Sequence, residues 1–196
     1  MIFAVLLPEL INRDGEFLAE KFETKDSTSN KWLAIKVLQK IVAAQLAAVP
    51  VQGDGALIDA ELHRLNFVQQ NSSLEDKDSR YRNALELLHK TYFNSSADPE
   101  IVYALASWYY VSQEGNKGEN AKTAVSLLQD AIRRRPDTYG AAICAQLLTQ
   151  IRATSINSNV EQVNLPDKNI LVQIGFRNLK KVWVKVVKED FDPSKW

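Results

Sequence analysis

The feature that most constrains this chain is a change of hydrophobic period partway along it. Between residues 29 and 153 apolar side chains recur at intervals of three and four; after that they recur at two, with β-branched residues replacing alanine and leucine. The first pattern specifies a series of amphipathic helices, and the second specifies strands. The expected fold is therefore mainly α, an array of antiparallel helical hairpins followed by a short antiparallel β segment. A helical domain over 1–154 and a β segment over 155–196 are the expected parts.

Within 29–48, Trp32, Leu33, Ile35, Leu38, Ile41, Val42 and Leu46 form one apolar stripe, and the helix is expected to stop before Pro50. A shorter helix is expected over 8–22. Asp54 is placed to cap a helix bearing Leu57, Ile58, Leu62, Leu65 and Val68, and a partner helix is expected over 79–93. Asp98-Pro99-Glu100 combines a capping carboxylate, a first-turn proline and an acid suited to the helix dipole, so a helix over 99–112 is expected. After a glycine-containing loop over 113–120, a helix over 121–135 ends in Arg133, Arg134, Arg135 and Pro136. Asp137 is then expected to cap a last helix reaching 153. In the β segment, Ile170, Val172, Ile174 and Phe176 share one face of a strand. Arg177-Asn178 is a turn candidate, and a second strand is expected over 179–188.

The helices recur in pairs. Val102, Leu105, Ala106 and Tyr109 on one helix are answered by Ala124, Leu128, Ala131 and Pro136 on the next. Ile58, Glu61, Leu62 and Leu65 followed by Ala84, Leu88 and Thr91 form a looser copy, and Gly140, Ile143, Cys144 and Leu147 restart the pattern. The spacing resembles that of tetratricopeptide repeats, allowing an insertion in the 113–120 loop. In such repeats small residues let paired helices approach closely, and each pair buries its apolar face only against its neighbours. A large side chain at Ala106 or Ala131 is therefore expected to overpack.

Lysine plus arginine equals aspartate plus glutamate at 24 each, so no net field recommends nucleic acid, an anionic membrane or a polyanionic substrate. Cys144 is the sole cysteine, which excludes an intrachain disulfide framework and a cysteine zinc site. The apolar start over 1–7 is far shorter than the roughly 20 residues a membrane-crossing helix needs, and no membrane span is expected.

Candidate chemistry is sparse. Cys144 could be a nucleophile, but its place in the repeat is that of a small buried residue. His63 and His89 lie in separate helices without metal-ligand spacing, so a surface or helix-flank role is expected for both. The three arginines before Pro136 could hold an anion, yet cations in a last helical turn complement the helix dipole unaided. Trp108, Tyr109 and Tyr110 form an aromatic cluster in which Tyr109 fits a packing position, leaving Trp108 or Tyr110 to face a groove. Glu75 with Asp76, and Glu189 with Asp190, lack apolar flanks that would raise a pKa. No phosphate loop, nucleophile elbow or zinc-protease helix occurs. No catalytic residue, cofactor or metal is expected.

A more specific likeness lies in Arg135-Pro136-Asp137-Thr138-Tyr139-Gly140-Ala141, Val163-Asn164-Leu165-Pro166, Phe176-Arg177-Asn178-Leu179 and Val182-Trp183-Val184-Lys185-Val186. This series resembles the region of large bacterial alpha-2-macroglobulin-like proteins where an N-terminal helical segment meets the first macroglobulin domain. The resemblance implies an extracytoplasmic setting, in the periplasm or cell envelope, and a parent that traps or inhibits proteases. It carries over no functional residue, because Cys144 stands in Ile143-Cys144-Ala145-Gln146 and not among the glycine, glutamate and glutamine of a thioester motif. The function it implies is a non-enzymatic scaffold positioning β-sandwich domains of the same polypeptide, with proteases or peptides engaged through the parent. The alternative is an independent tetratricopeptide-type peptide-binding adaptor, whose groove would be lined by Asp59, His63, Tyr103, Ser107 and Tyr110. Those positions lack the lysine and asparagine pairs of carboxylate-clamp repeats.

Overall fold

The structure is a computed structural model that describes residues 14–22, 28–112, 114–161 and 169–185. The chain divides into two compact units, Met1–Ile151 and Arg152–Trp196. The first is helical: α1 Asp14–Ala19, α2 Asn30–Gln52, α3 Gly55–Asn71, α4 Lys77–Thr91, α5 Asp98–Val111, α6 Lys117–Arg134 and α7 Tyr139–Arg152, whose last residue begins the second unit. The second holds β1 Ser155–Val160 and β2 Val172–Arg177. The fold class is mainly α, helical hairpins followed by a short antiparallel β segment.

Three apolar clusters run along the helical unit, and α3 and α5 each serve two of them. Phe17, Phe22, Ile35, Val42, Leu57, Ala60 and Val68 join α1, α2 and α3. Ile58 and Leu65, on the neighbouring flank of α3, pack with Leu85 and Leu88 of α4 and with Ile101 and Leu105 of α5. Val102 and Ala106 then face Ala124, Leu128 and Ala131 of α6 and Cys144, Leu147 and Ile151 of α7. Adjacent residues such as Leu57 and Ile58, or Ile101 and Val102, thus fill successive layers, which is how stacked helix pairs bury a continuous core. Ala106, Ala124 and Ala131 are fully buried, as the repeat spacing requires.

Several local expectations are corrected. The helix expected to end before Pro50 continues through it to Gln52; Pro50 is exposed in the last turn, and Gly53 closes the helix at φ 77°. The sacrificed amide falls where water can serve the orphaned carbonyl, so proline is tolerated there. By length and composition α2 is also apolar enough to cross a membrane, although Ile35 and Val42 pack in the first cluster. Trp32 Nε1 donates to the Phe22 carbonyl at 3.1 Å, and Gln39 Nε2 donates to the Phe17 and Glu20 carbonyls, tying α2 to the segment before it.

Asp54 precedes α3 but caps nothing with its side chain; its Oδ1 instead accepts from Ser95 Oγ at 2.7 Å. The α6 helix begins at Lys117, earlier than its apolar pattern suggests, because Asn116 accepts from the amides of Gly118 and Glu119. Thr138, and not Asp137, holds the start of α7, its Oγ1 accepting from the Ala141 amide at 3.1 Å.

The β segment differs most from expectation. Among the described residues of 179–188 there is no strand, and the partner of β2 is β1, antiparallel, with Ser155 opposite Arg177 and Val160 opposite Val172. Asn178 adopts φ 55°, and its side-chain amide donates to the Ala153 carbonyl, as does Arg177 Nε. The end of β2 is therefore anchored back to the entrance of β1, and the expected turn at 177–178 leads into no described strand. The residues Val163-Asn164-Leu165-Pro166 lie outside the described residues, as do residues 8–13 of the expected 8–22 helix; of its described remainder 14–19 forms α1 and 20–22 is not helical.

Candidate functional site

The helical unit carries an open groove of about 500 Å³. From α3 it is lined by Asp59, Leu62, His63, Asn66 and Gln69, spaced at three and four along one face. From α5 come Glu100, Tyr103, Ala104, Ser107, Trp108 and Val111 in the same rhythm, and Tyr81 of α4 and Ile143 of α7 complete the wall. The first helices of successive pairs thus line one surface, while the small residues that seat the second helices are buried behind it.

Of the residues expected to form a groove, Asp59, His63, Tyr103 and Ser107 are brought together here. Tyr110 is not; it packs against the α5–α6–α7 cluster, one step around the helix from the groove row. Trp108 occupies the place instead. Its ring meets Tyr109 edge-on at 5.2 Å, and the Arg82 guanidinium lies 5.2 Å from its centroid. Tyr109 donates its hydroxyl to Glu86 at 2.9 Å, so this part of the wall is held by both packing and a polar bond. Trp108 is one of the two aromatics expected to face a groove, and continuing the three- and four-residue rows from Asp59 and Tyr103 would also have found Leu62 and Glu100 from sequence. Tyr81 and Ile143 come from other helices and give no such local signal.

The charge in the groove is acidic. Asp59 Oδ1 lies 3.6 Å from His63 Nε2 in an exposed pair. Glu100 is half-buried and has no ion-pair partner among the described residues. Burial raises its pKa above the ordinary carboxylate value, and the negative charge of Asp59 raises it further. No lysine or arginine lines the groove.

A second polar cluster lies at the start of α5. Asp98, expected to be a helix cap, is fully buried, and the capping position falls to Ala97. Asp98 Oδ1 is 2.5 Å from His89 Nδ1, and its Oδ2 accepts from Arg134 Nη2 at 2.7 Å. Arg134 Nε also donates to Asp130 at 2.7 Å, and its guanidinium lies 4.1 Å from the Phe93 ring centroid. Burial opposes the charge on Arg134, but Asp98 and Asp130 outweigh it and hold its pKa above the ordinary value. Arg135 donates to the Asn94 and Ser95 carbonyls. Arg134 and Arg135 thus go beyond dipole compensation, and His89 is half-buried on the flank of α4: together they latch the end of α6 to the α4–α5 loop. With both carboxylate oxygens engaged, Asp98 is arranged as an anchor.

A buried pair, Glu61 and Arg64 on α3, sits beneath the first cluster, with Arg64 Nε donating to Glu61 at 3.0 Å and its guanidinium 4.8 Å from the Phe17 centroid. Cys144 is buried, donates its S–H to the Pro99 carbonyl at 3.2 Å, and has its pKa pushed up to about 12 by burial and by the charge of Asp98. A thiol held neutral in this way is packing, not a nucleophile at neutral pH. Among the described residues no group of three or more His, Cys, Asp or Glu side chains is placed to hold a metal ion.

Comparison with protein families, curated proteins and solved structures returns no match. The fold and groove define a helical-hairpin repeat protein with an acidic, aromatic-walled surface on the first helices of its pairs.

Proposed function

We propose that this chain is a non-enzymatic scaffold that joins a helical-repeat unit to the opening strands of a macroglobulin-type β-sandwich, within a bacterial, extracytoplasmic, alpha-2-macroglobulin-like protein. The observation that carries the reading is the open face of the two-stranded sheet. Ile156, Val160, Val172, Ile174 and Phe176 share that face, and four of them are heavily exposed: Ile156 58%, Val160 47%, Val172 45% and Phe176 59%. The opposite face carries Asn157, Asn159, Gln173 and Arg177. A two-stranded sheet is marginal alone, and an apolar face of this kind requires a covering layer. Further strands of a sandwich supply such a layer, in keeping with the motifs from Arg135 to Val186. Limited proteolysis with mass spectrometry, on this chain beside a longer one bearing a complete β-domain after it, tests the reading. Cleavage within 155–185 in the short chain and protection in the long one are expected; equal susceptibility would remove the sandwich proposal.

The second reading, a peptide-binding adaptor, is favoured by the groove itself, whose walls come from three successive first helices and which combines apolar surface with a few fixed polar groups.

A further inference from the structure

We propose that the groove between α3, α5 and α7 recognises an arginine side chain flanked by apolar residues in a partner polypeptide. The inference rests on reading the helical unit as an interaction module and adds the chemistry of its partner.

Charge complementarity carries the argument. The carboxylates of Asp59 and Glu100 line the same groove, and no basic side chain other than His63 shares it. Elsewhere in the helical unit carboxylates already hold guanidinium groups: Asp98 and Asp130 hold Arg134, and Glu61 holds Arg64. Glu100 holds none among the described residues, although it is half-buried beside a second negative charge. A cation entering the groove would relieve the like-charge repulsion and pair a carboxylate that burial leaves under-solvated.

The walls suit arginine in particular. Tyr81 and Tyr103 present aromatic surface, while the buried Trp108 ring of the same wall already carries the Arg82 guanidinium at 5.2 Å. Planar guanidinium stacks on such rings and forks onto carboxylates, which a compact ammonium does less well. Leu62, Val111 and Ile143 supply the apolar contact that neighbouring side chains of a peptide would fill.

The test is an NMR titration of the isotopically labelled chain with N-acetyl-Leu-Arg-Leu-amide, with its citrulline counterpart and with its glutamate counterpart. The arginine peptide is expected to shift the backbone amides of Asp59, His63, Tyr103 and Ser107 and to bind about tenfold more tightly than the citrulline peptide. That preference should vanish in Glu100→Gln with Asp59→Asn, substitutions that keep side-chain volume. Equal binding of arginine and citrulline peptides, or a preference that survives the double substitution, would overturn the cation assignment while leaving the groove as a peptide site. Absence of shifts with every peptide at millimolar concentration would overturn both.

Discussion

Gly140 on α7 lies against Pro99 and Glu100 on α5 so closely that a β-carbon at position 140 would stand 2.8 Å from both the Pro99 Cβ and the Glu100 amide nitrogen. This contact sets how closely the first helices of two successive pairs approach, and it lies at the base of the groove-lining row. A glycine-to-alanine change inside a helix ordinarily stabilises it by up to about 1 kcal/mol. Here the sign should reverse. Gly140→Val is expected to cost about 1 to 3 kcal/mol in urea unfolding, because the crowding atom is backbone and cannot rotate away. Gly55→Ala, whose new methyl would meet nothing nearer than the Ala97 Cβ at 4.0 Å, serves as the control and should not destabilise.

Asp98 is a fully buried acid that joins His89 of α4 to Arg134 of α6. Asp98→Ala is expected to destabilise the chain by about 3 kcal/mol, since it leaves an arginine partly buried beside an emptied site. Pairing it with Arg134→Met in a double-mutant cycle measures the coupling, and a loss below about 1 kcal/mol would mean the latch contributes little.

Cys144 should not react with iodoacetamide at pH 8 in the folded protein and should react promptly in denaturant. Its thiol is raised to about 12 when folded, against an ordinary value near 8.5 when unfolded. Below that ordinary value both states keep the proton and stability is unaffected. Above it the unfolded state alone releases the proton, so stability should fall as pH rises through roughly 9 to 10. Cys144→Ala should flatten that part of the profile, and an unchanged slope would assign it to other groups.

Glu100 carries the opposite kind of linkage from a salt-bridged carboxylate. Its pKa is raised on folding, by burial first and then by Asp59, so the folded state holds its proton more firmly than the unfolded state. Stability is therefore penalised once pH rises through the raised value, and the penalty disappears below the ordinary carboxylate range. Glu100→Gln should raise the melting temperature at pH 7 and leave it unchanged near pH 3. A lower melting temperature at pH 7 would indicate that the carboxylate has a stabilising partner.

Much of the helical unit was legible because its signals are local. The pairing of Ala106 with Ala124 and Ala131 follows from small residues at fixed spacing, and the face shared by Val172, Ile174 and Phe176 follows from a period of two. The strand Ser155-Ile156-Asn157-Ser158-Asn159-Val160 was not legible, because serine and asparagine are weak strand formers and only Ile156 and Val160 mark its apolar face. The more β-branched run 179–188 made the stronger local claim, yet the described part of it forms no strand.

By itself the sequence determined which segments are helical, where small residues allow helices to close, and that the chain turns from α to β after residue 153, because each depends on side chains within a few positions of one another. The tertiary structure alone decided that Asp98 anchors where it could have capped, that Cys144 reaches Pro99, and that Glu100 shares a groove with Asp59. Those contacts join residues 36 positions apart for Asp98 and Arg134 and 45 for Pro99 and Cys144. At such separations the partner is chosen by the packing of whole helices, which no local period records.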